Sequence, residues 1–184
     1  MSKKIAVLVG SLRKGSFSKQ IAKNLMKEFP EGYDSEIIEI GNLPLYNEDI
    51  DTEDSVPAEY TTFRNKMKEF DAVLFVTPEY NRSVPANLKN AIDVGSRPYG
   101  QSIWDRKPAA VVSVSPGAIS GFGANHHLRQ SLVFLNMPVV QQPEAYIGNV
   151  TNLLDDNGNV DDRTLGFLKS IDDALVDLIN RFDD

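Results

Sequence analysis

Three short stretches collect residues suited to holding an anion or a flat ring. The first is Gly10-Ser11-Leu12-Arg13-Lys14-Gly15-Ser16-Phe17-Ser18. Three serine hydroxyls and an arginine fork are donors that match a phosphate. The stretch follows an apolar run and precedes an amphipathic one, so it lies where a strand gives way to a helix. A helix N-terminus adds unpaired N–H groups and a positive dipole end. Gly10 and Gly15 have the spacing of the nucleotide-binding pattern G-x-x-x-x-G-K-[ST], but Ser16 stands where the lysine must be. The dinucleotide pattern G-x-G-x-x-G begins at Gly121-Phe122-Gly123 and fails at His126. The first stretch therefore suits a terminal phosphate better than a bridging pyrophosphate.

The second stretch is Thr77-Pro78-Glu79-Tyr80-Asn81-Arg82-Ser83-Val84-Pro85. Its prolines restrict the backbone and lower the entropy cost of presenting a fixed surface. Tyr80 could lie beside a flat ring, and Asn81 and the backbone amides could bond its heteroatoms. The same residues equally fit a rigid β–α connection whose polar groups cap the next helix. The third, Ser115-Pro116-Gly117-Ala118-Ile119-Ser120-Gly121-Phe122-Gly123, has three glycines in seven residues, which permits close backbone approach to a ligand or simple mobility.

These stretches need a scaffold, and the chain supplies one by alternation. Residues 4–10, 71–77 and 109–114 are unbroken apolar runs rich in β-branched residues, as expected of strands covered on both faces. Residues 35–40 predict a partly exposed strand, and a shorter one is predicted near 138–147. Helical patterns fall between them at 18–29, with Ser18 as the N-cap, and at 57–70, 85–95 and 124–136. Leu165, Leu168, Ile171, Leu175, Leu178 and Phe182 mark a last long helix, packed on a sheet rather than paired in a coiled coil. Repeated strand–helix alternation predicts an α/β fold: a flavodoxin-like three-layer sandwich with a five-stranded parallel sheet in the order 2-1-3-4-5. Ligands bind such sheets beyond the carboxyl ends of their strands, where the three stretches fall.

A length of 184 residues predicts a single domain, 1–184. With no cysteine, the chain has no disulfide framework, thiol nucleophile or thiolate metal site. A net charge of −7 argues against a nucleic-acid partner. No stretch approaches the roughly 20 apolar residues of a membrane span, which predicts a cytoplasmic protein. His126 and His127, adjacent on a helix, point about 100° apart and cannot share a metal. No metal site and no obligatory acid or base is expected. Asp155-Asp156-Asn157-Gly158-Asn159 reads as a solvated turn.

Taken together, Gly10–Ser18, Pro78-Glu-Tyr-Asn81, Ser83-Val-Pro85 and Leu88-Lys-Asn-Ala-Ile-Asp93 resemble the NADPH-dependent FMN reductase family, in particular its quinone, chromate and azo-dye reductases. Leu43-Pro-Leu-Tyr46 and His127-Leu-Arg-Gln130 extend the resemblance along most of the chain. It implies bound FMN, NADPH or NADH as co-substrate, a small-molecule electron acceptor, and a homodimer or homotetramer. It implies that Ser11, Arg13, Ser16, Phe17 and Ser18 hold the phosphate. Pro78, Glu79, Tyr80, Asn81 and Ser83 would frame the isoalloxazine, and Ser115 and Gly117 would close the site. Arg129 and Glu144 would lie near subunit contacts. The reaction implied is a ping-pong two-electron reduction of quinones, azo compounds or chromate. The alternatives are a flavodoxin-type electron carrier, a supplier of free reduced FMN, or a non-redox module for another phosphorylated ligand. Ser120-Gly121-Phe122-Gly123 departs from the family's Gly-Gly-Ala-Arg-like stretch, which bears on substrate choice.

Overall fold

The computed structural model describes residues 2–182. Five parallel strands, β1 (Lys3–Val9), β2 (Tyr33–Ile37), β3 (Ala72–Thr77), β4 (Ala109–Val114) and β5 (Ala145–Ile147), form one sheet in the order β2-β1-β3-β4-β5. The register pairs Lys3 with Tyr33, Ile5 with Ala72, Val73 with Ala109, and Val112 with Ala145. Five helices connect and cover them: α1 (Phe17–Leu25), α2 (Ala58–Met67), α3 (Ala86–Gly95), α4 (Phe122–Phe134) and α5 (Asp162–Arg181). Among the described residues no helix is long and apolar enough to cross a membrane.

The period of two in the strands divides the interior into two apolar layers. Ala6, Leu8, Val73, Phe75 and Val111 face α2, α3 and α4, where Tyr60, Phe63, Met67, Leu88 and Trp104 are buried. Ile5, Val7, Leu74, Val76 and Val112 face α1 and α5, meeting Ile21, Leu25, Leu168, Ile171, Leu175 and Ile179. Both faces are covered, which is why β3 and β4 are buried at every residue.

Several boundaries differ from the sequence expectation. β2 ends at Ile37 rather than 40, although Ile38 still donates to Val7 O (3.0 Å) and Ile38 and Ile40 remain buried. Those isoleucines made the strand look longer; they pack from a loop. The segment near 138–147 yields only three strand residues plus a bridge between Ala109 and Val139. Pro138 and Pro143 lack the N–H a ladder needs. The N-cap of α1 is Ser16, not Ser18: its hydroxyl accepts from Lys19 N at 3.1 Å, and Ser18 is buried within the first turn. The apolar stripe of α5 runs through Ile179, and Phe182, expected on it, is half exposed.

Candidate active site

The loops after β1, β3 and β4 converge at the carboxyl edge of the sheet. The first is held close to the second by Gly10, whose N–H donates to Val76 O (2.9 Å). A Cβ at Gly10 would sit 3.1 Å from Pro78 Cδ and 3.2 Å from Leu88 Cδ2, so a side chain there would crowd the contact between the two loops. Ser11, Ser16 and Ser18 are all buried. Ser16 caps α1, while the Ser11 and Ser18 hydroxyls have no partner among the described residues. Arg13 is exposed and makes no ion pair among the described residues. Phe17 packs its ring against the α1–α5 layer, so what it offers a ligand is its backbone N–H at the start of the helix.

The second loop is a tight reversal. Tyr80 N donates to Ser83 O (3.1 Å) and Ser83 N to Tyr80 O (3.0 Å), with Asn81 and Arg82 both left-handed at φ 50° and 66°. This is the two-residue hairpin geometry that needs positive φ at both central positions, which asparagine tolerates best after glycine. The turn leaves Tyr80 49% exposed and Asn81 at the surface, where both can meet a ring. Glu79 lies beneath. One of its oxygens accepts from Arg82 Nη1 (2.9 Å) and the other from Ala124 N (3.0 Å) in the first turn of α4. A carboxylate at a helix N-terminus is favoured by the dipole. Glu79 therefore braces the second loop against the third. Ser83 is hydrogen-bonded through its hydroxyl to His127 Nδ1 (3.1 Å), a second tie to α4.

In the third loop, Ser115 Oγ accepts from Gly117 N (3.0 Å), and Gly117 O accepts from Ser120 N (3.1 Å). Ser120 and Gly121 are left-handed at φ 63° and 72° and turn the chain into α4. Beneath them Ser113 donates to Ser120 O (2.8 Å), Asn125 donates to Ser113 Oγ (3.3 Å) and Ala145 O (3.3 Å), and Arg129 Nε donates to Asn125 Oδ1 (2.9 Å). Arg129 also donates to Val140 O (2.9 Å), and its burial lowers the guanidinium pKa. Burial also raises the Tyr146 pKa, with the neighbouring Glu144 adding to the effect.

The structure thus brings Ser11, Arg13, Ser16 and Ser18 together in one loop, and ties Pro78, Glu79, Tyr80, Asn81 and Ser83 to the loop holding Ser115 and Gly117. Sequence reasoning missed the braces. Gly123 is one: a Cβ there would lie 2.7 Å from Arg82 O and 2.9 Å from Glu79 Oε2. Asn90 is another, donating to Pro44 O (2.8 Å) and accepting from Tyr46 N (2.8 Å), so that α3 fixes the 43–46 segment. A third is the buried Arg64, bidentate to Asp51 (2.7 and 2.6 Å) and donating to Val94 O (2.9 Å). An asparagine inside the amphipathic pattern of α3 was the one available signal. His126 and His127 turn to different partners, Tyr146 Oη (2.9 Å) and Ser83.

A family model described as NADPH-dependent FMN reductase matches residues 3–152. The chain belongs to this family. It is accordingly an oxidoreductase that uses FMN with NAD(P)H as co-substrate. Among curated relatives of this FMN reductase, a quinone reductase of Pseudomonas putida is 59% identical over 172 residues, covering 94% of this chain and 92% of the relative. A 2-hydroxy-1,4-benzoquinone reductase of a Burkholderia species is 44% identical over 160 residues, covering 87% and 86%. The solved structure of FerB, a flavoenzyme NAD(P)H:(acceptor) oxidoreductase of Paracoccus denitrificans, superposes with a TM-score of 0.90 at 40% identity, covering 98% of each chain.

The site fits FMN on its own chemistry. The Ser11 and Ser18 hydroxyls, without partners among the described residues and open to solvent, the unpaired Arg13 guanidinium and the α1 N-terminus form a donor set for a phosphate dianion. The second loop presents an exposed aromatic face beside an asparagine.

Proposed function

We propose that this chain is an NAD(P)H-dependent FMN quinone reductase acting on small quinones. Azo compounds and chromate would be incidental acceptors at the same opening. The observation that carries the reading is the brace through Glu79, which holds the ring-framing loop against the α4 loop beside a phosphate-type loop. Ser11, Arg13 and Ser18, with the N–H groups of Ser16 and Phe17, would hold the phosphate. Pro78, Tyr80 and Asn81 would frame the isoalloxazine, with Glu79 and Ser83 fixing that frame and Ser115 and Gly117 closing it. Bound FMN supplies two-electron hydride chemistry. The protein supplies a pre-formed frame, so little ordering is needed when a flat substrate stacks over it. Both substrates use one face in turn, which predicts parallel double-reciprocal plots. Small quinones suit the opening because a planar π-system can lie beside the exposed Tyr80.

The oligomer is part of the reading. Val133 and Phe134 on α4 are 73% and 86% exposed, beside a groove with Val84, Ile92 and Leu135. A cytoplasmic homodimer or homotetramer formed through α4 would cover them; sedimentation velocity checks this.

The deciding experiment is an anaerobic visible spectrum of the FMN-loaded protein before and after NADPH, followed by benzoquinone. Bleaching by NADPH and recovery with benzoquinone is the expected result. A flavin band that NADPH leaves unchanged would make the protein a carrier needing a partner. A protein that takes up no FMN would overturn the loop assignments.

A further inference from the structure

The electrostatics of the first helix break a local rule. Residues 1–27 contain seven basic residues and no acidic one, in a chain whose net charge is −7. Three of the seven, Lys19, Lys23 and Lys27, recur every four residues and share one face of α1 and its continuation. Like charges at this spacing repel, and Lys19 in the first turn opposes the positive end of the helix dipole. Lys14, Lys19 and Lys23 make no ion pair among the described residues, so nothing in the fold compensates. Uncompensated breaches of this kind mark functional positions.

The lysines line a shaped cleft. Its walls are Lys14, Ser16, Lys19, Lys23 and Lys27 on one side and Asn157-Gly158-Asn159 on the other. The opposite wall is fixed: the buried Asn24 donates to Gly158 O (2.8 Å), and Lys27 Nζ donates to Asn159 Oδ1 (3.0 Å). Asp155, at the start of that turn, accepts from the N–H groups of Asn157 and Asn159 (both 2.8 Å). The cleft measures about 240 Å³. That is below the roughly 300–1,000 Å³ of a pocket that encloses a whole drug-sized ligand, so it would take one end of a longer molecule. It opens beside the phosphate loop, because Ser16 belongs to both and Lys19 also lines the cleft with Ser11 and Arg13 on the other side.

We propose that Lys14, Lys19 and Lys23 form a binding site for the adenosine 2′-phosphate of NADPH, and so select NADPH over NADH. This rests on NADPH being a co-substrate. The nicotinamide lies over the ring-framing loops, and the far end of the dinucleotide passes the phosphate loop to reach the lysines. A phosphate monoester offers several acceptor oxygens to the ammonium groups, whereas the 2′-hydroxyl of NADH offers no charge.

The test is calorimetric titration of adenosine 2′,5′-bisphosphate into the FMN-loaded protein, with adenosine 5′-phosphate and inorganic phosphate as comparison probes. The bisphosphate should bind at least roughly tenfold more tightly than adenosine 5′-phosphate, and Lys19→Gln/Lys23→Gln should erase the difference. The ratio of kcat/KM for NADPH to that for NADH should fall at least roughly tenfold in the same variant. It should hold in Lys68→Gln, which removes a charge at the end of α2, on the opposite face of the sheet. Equal binding of the two nucleotides, or an unchanged ratio, overturns the proposal. Inorganic phosphate binding as tightly as the bisphosphate would reduce the cleft to a general anion site and overturn it too. Retention on anionic vesicles without nucleotide binding would assign the lysines to a membrane surface instead. Selective bisphosphate binding in a protein that turns over neither nucleotide would leave this site standing and refute the reductase reading.

Discussion

Asp172 is fully buried on α5, and neither carboxylate oxygen has a hydrogen-bond partner. It shares the buried side of α5 with Leu168, Ile171 and Leu175, which belong to the apolar layer beneath α1 and α5. Burial, with Glu28 and Asp173 nearby and only Lys169 opposing, pushes its pKa from 3.8 up to about 9. The folded protein therefore holds a proton that the unfolded chain releases. Stability is greatest below about pH 4 on this account and declines as pH rises, until the folded group ionises near pH 9. The slope is about 1.4 kcal/mol per pH unit. Asp172→Asn keeps the shape and removes the titration. From pH 5 to pH 8 the variant should gain about 4 kcal/mol relative to the wild type. At a urea m-value of about 2 kcal/mol/M, the gap between the two midpoints widens by about 2 M. The assay is urea denaturation by far-UV circular dichroism at fixed FMN concentration, since bound ligand itself stabilises. Midpoints that move in parallel for the two proteins would refute the reasoning.

Other outcomes follow from other contacts. Arg13→Ala should weaken FMN binding by roughly ten- to a hundredfold, the worth of a charge-assisted hydrogen bond, as read by titration of FMN fluorescence; unchanged affinity would defeat the phosphate-loop assignment. Gly123→Ala places a methyl 2.7 Å from Arg82 O, and should cost about 1–3 kcal/mol, lower Tm by several degrees and loosen FMN. Asn90→Ala leaves Tyr46 N and the Leu43 carbonyl without their Asn90 partner and leaves Pro44 O only the longer bond from Tyr60 Oη (3.3 Å), and limited proteolysis should then cut near residues 43–46 sooner than in the wild type. Burial lowers the pKa of Lys107, which donates to Met67 O (2.6 Å), from 10.5 to about 8. The unfolded chain then binds the extra proton between those values, so stability from this group rises with pH from about 8 to 10.5. That rise should emerge in Asp172→Asn and vanish when Lys107→Met is added.

What the sequence made legible was local. Ser11, Arg13 and Ser16 stand beside the buried run that positions them, and strand–helix alternation carries the order β2-β1-β3-β4-β5. The three loops were found because the strand ends they follow were visible. What stayed hidden was held by distant partners. Glu79 accepts from Ala124, 45 residues away, and nothing near Glu79 announces that a helix will begin there. Gly123 looked like one of several flexible glycines, yet it is required by the carbonyl of Arg82. Ser16 and Ser18 are equivalent in type, and only backbone dihedrals choose the cap. Asp172 lies four residues after Leu168 on the buried side of α5, where a polar residue reads as the edge of the stripe rather than its centre.

The chain has a single tryptophan, Trp104, and it is wholly buried. Its ring lies 6.1 Å from Phe75 and 6.2 Å from Phe63, and its Nε1 donates to Ile92 O (2.9 Å). All of these belong to the layer under α2 and α3. Intrinsic emission is therefore a one-sided optical probe: it witnesses that half of the molecule and is blind to the half where Asp172 lies beside α1. Circular dichroism counts the helices of both layers, so it includes the nine residues of α1 and the twenty of α5 that the tryptophan does not sense. If the two signals share one midpoint at every pH, the sheet carries the strain of a buried acid from one face to the other, and the molecule melts as a unit. If the dichroism falls first as pH rises, the α1–α5 face is a separable shell that peels away from a still-folded tryptophan layer.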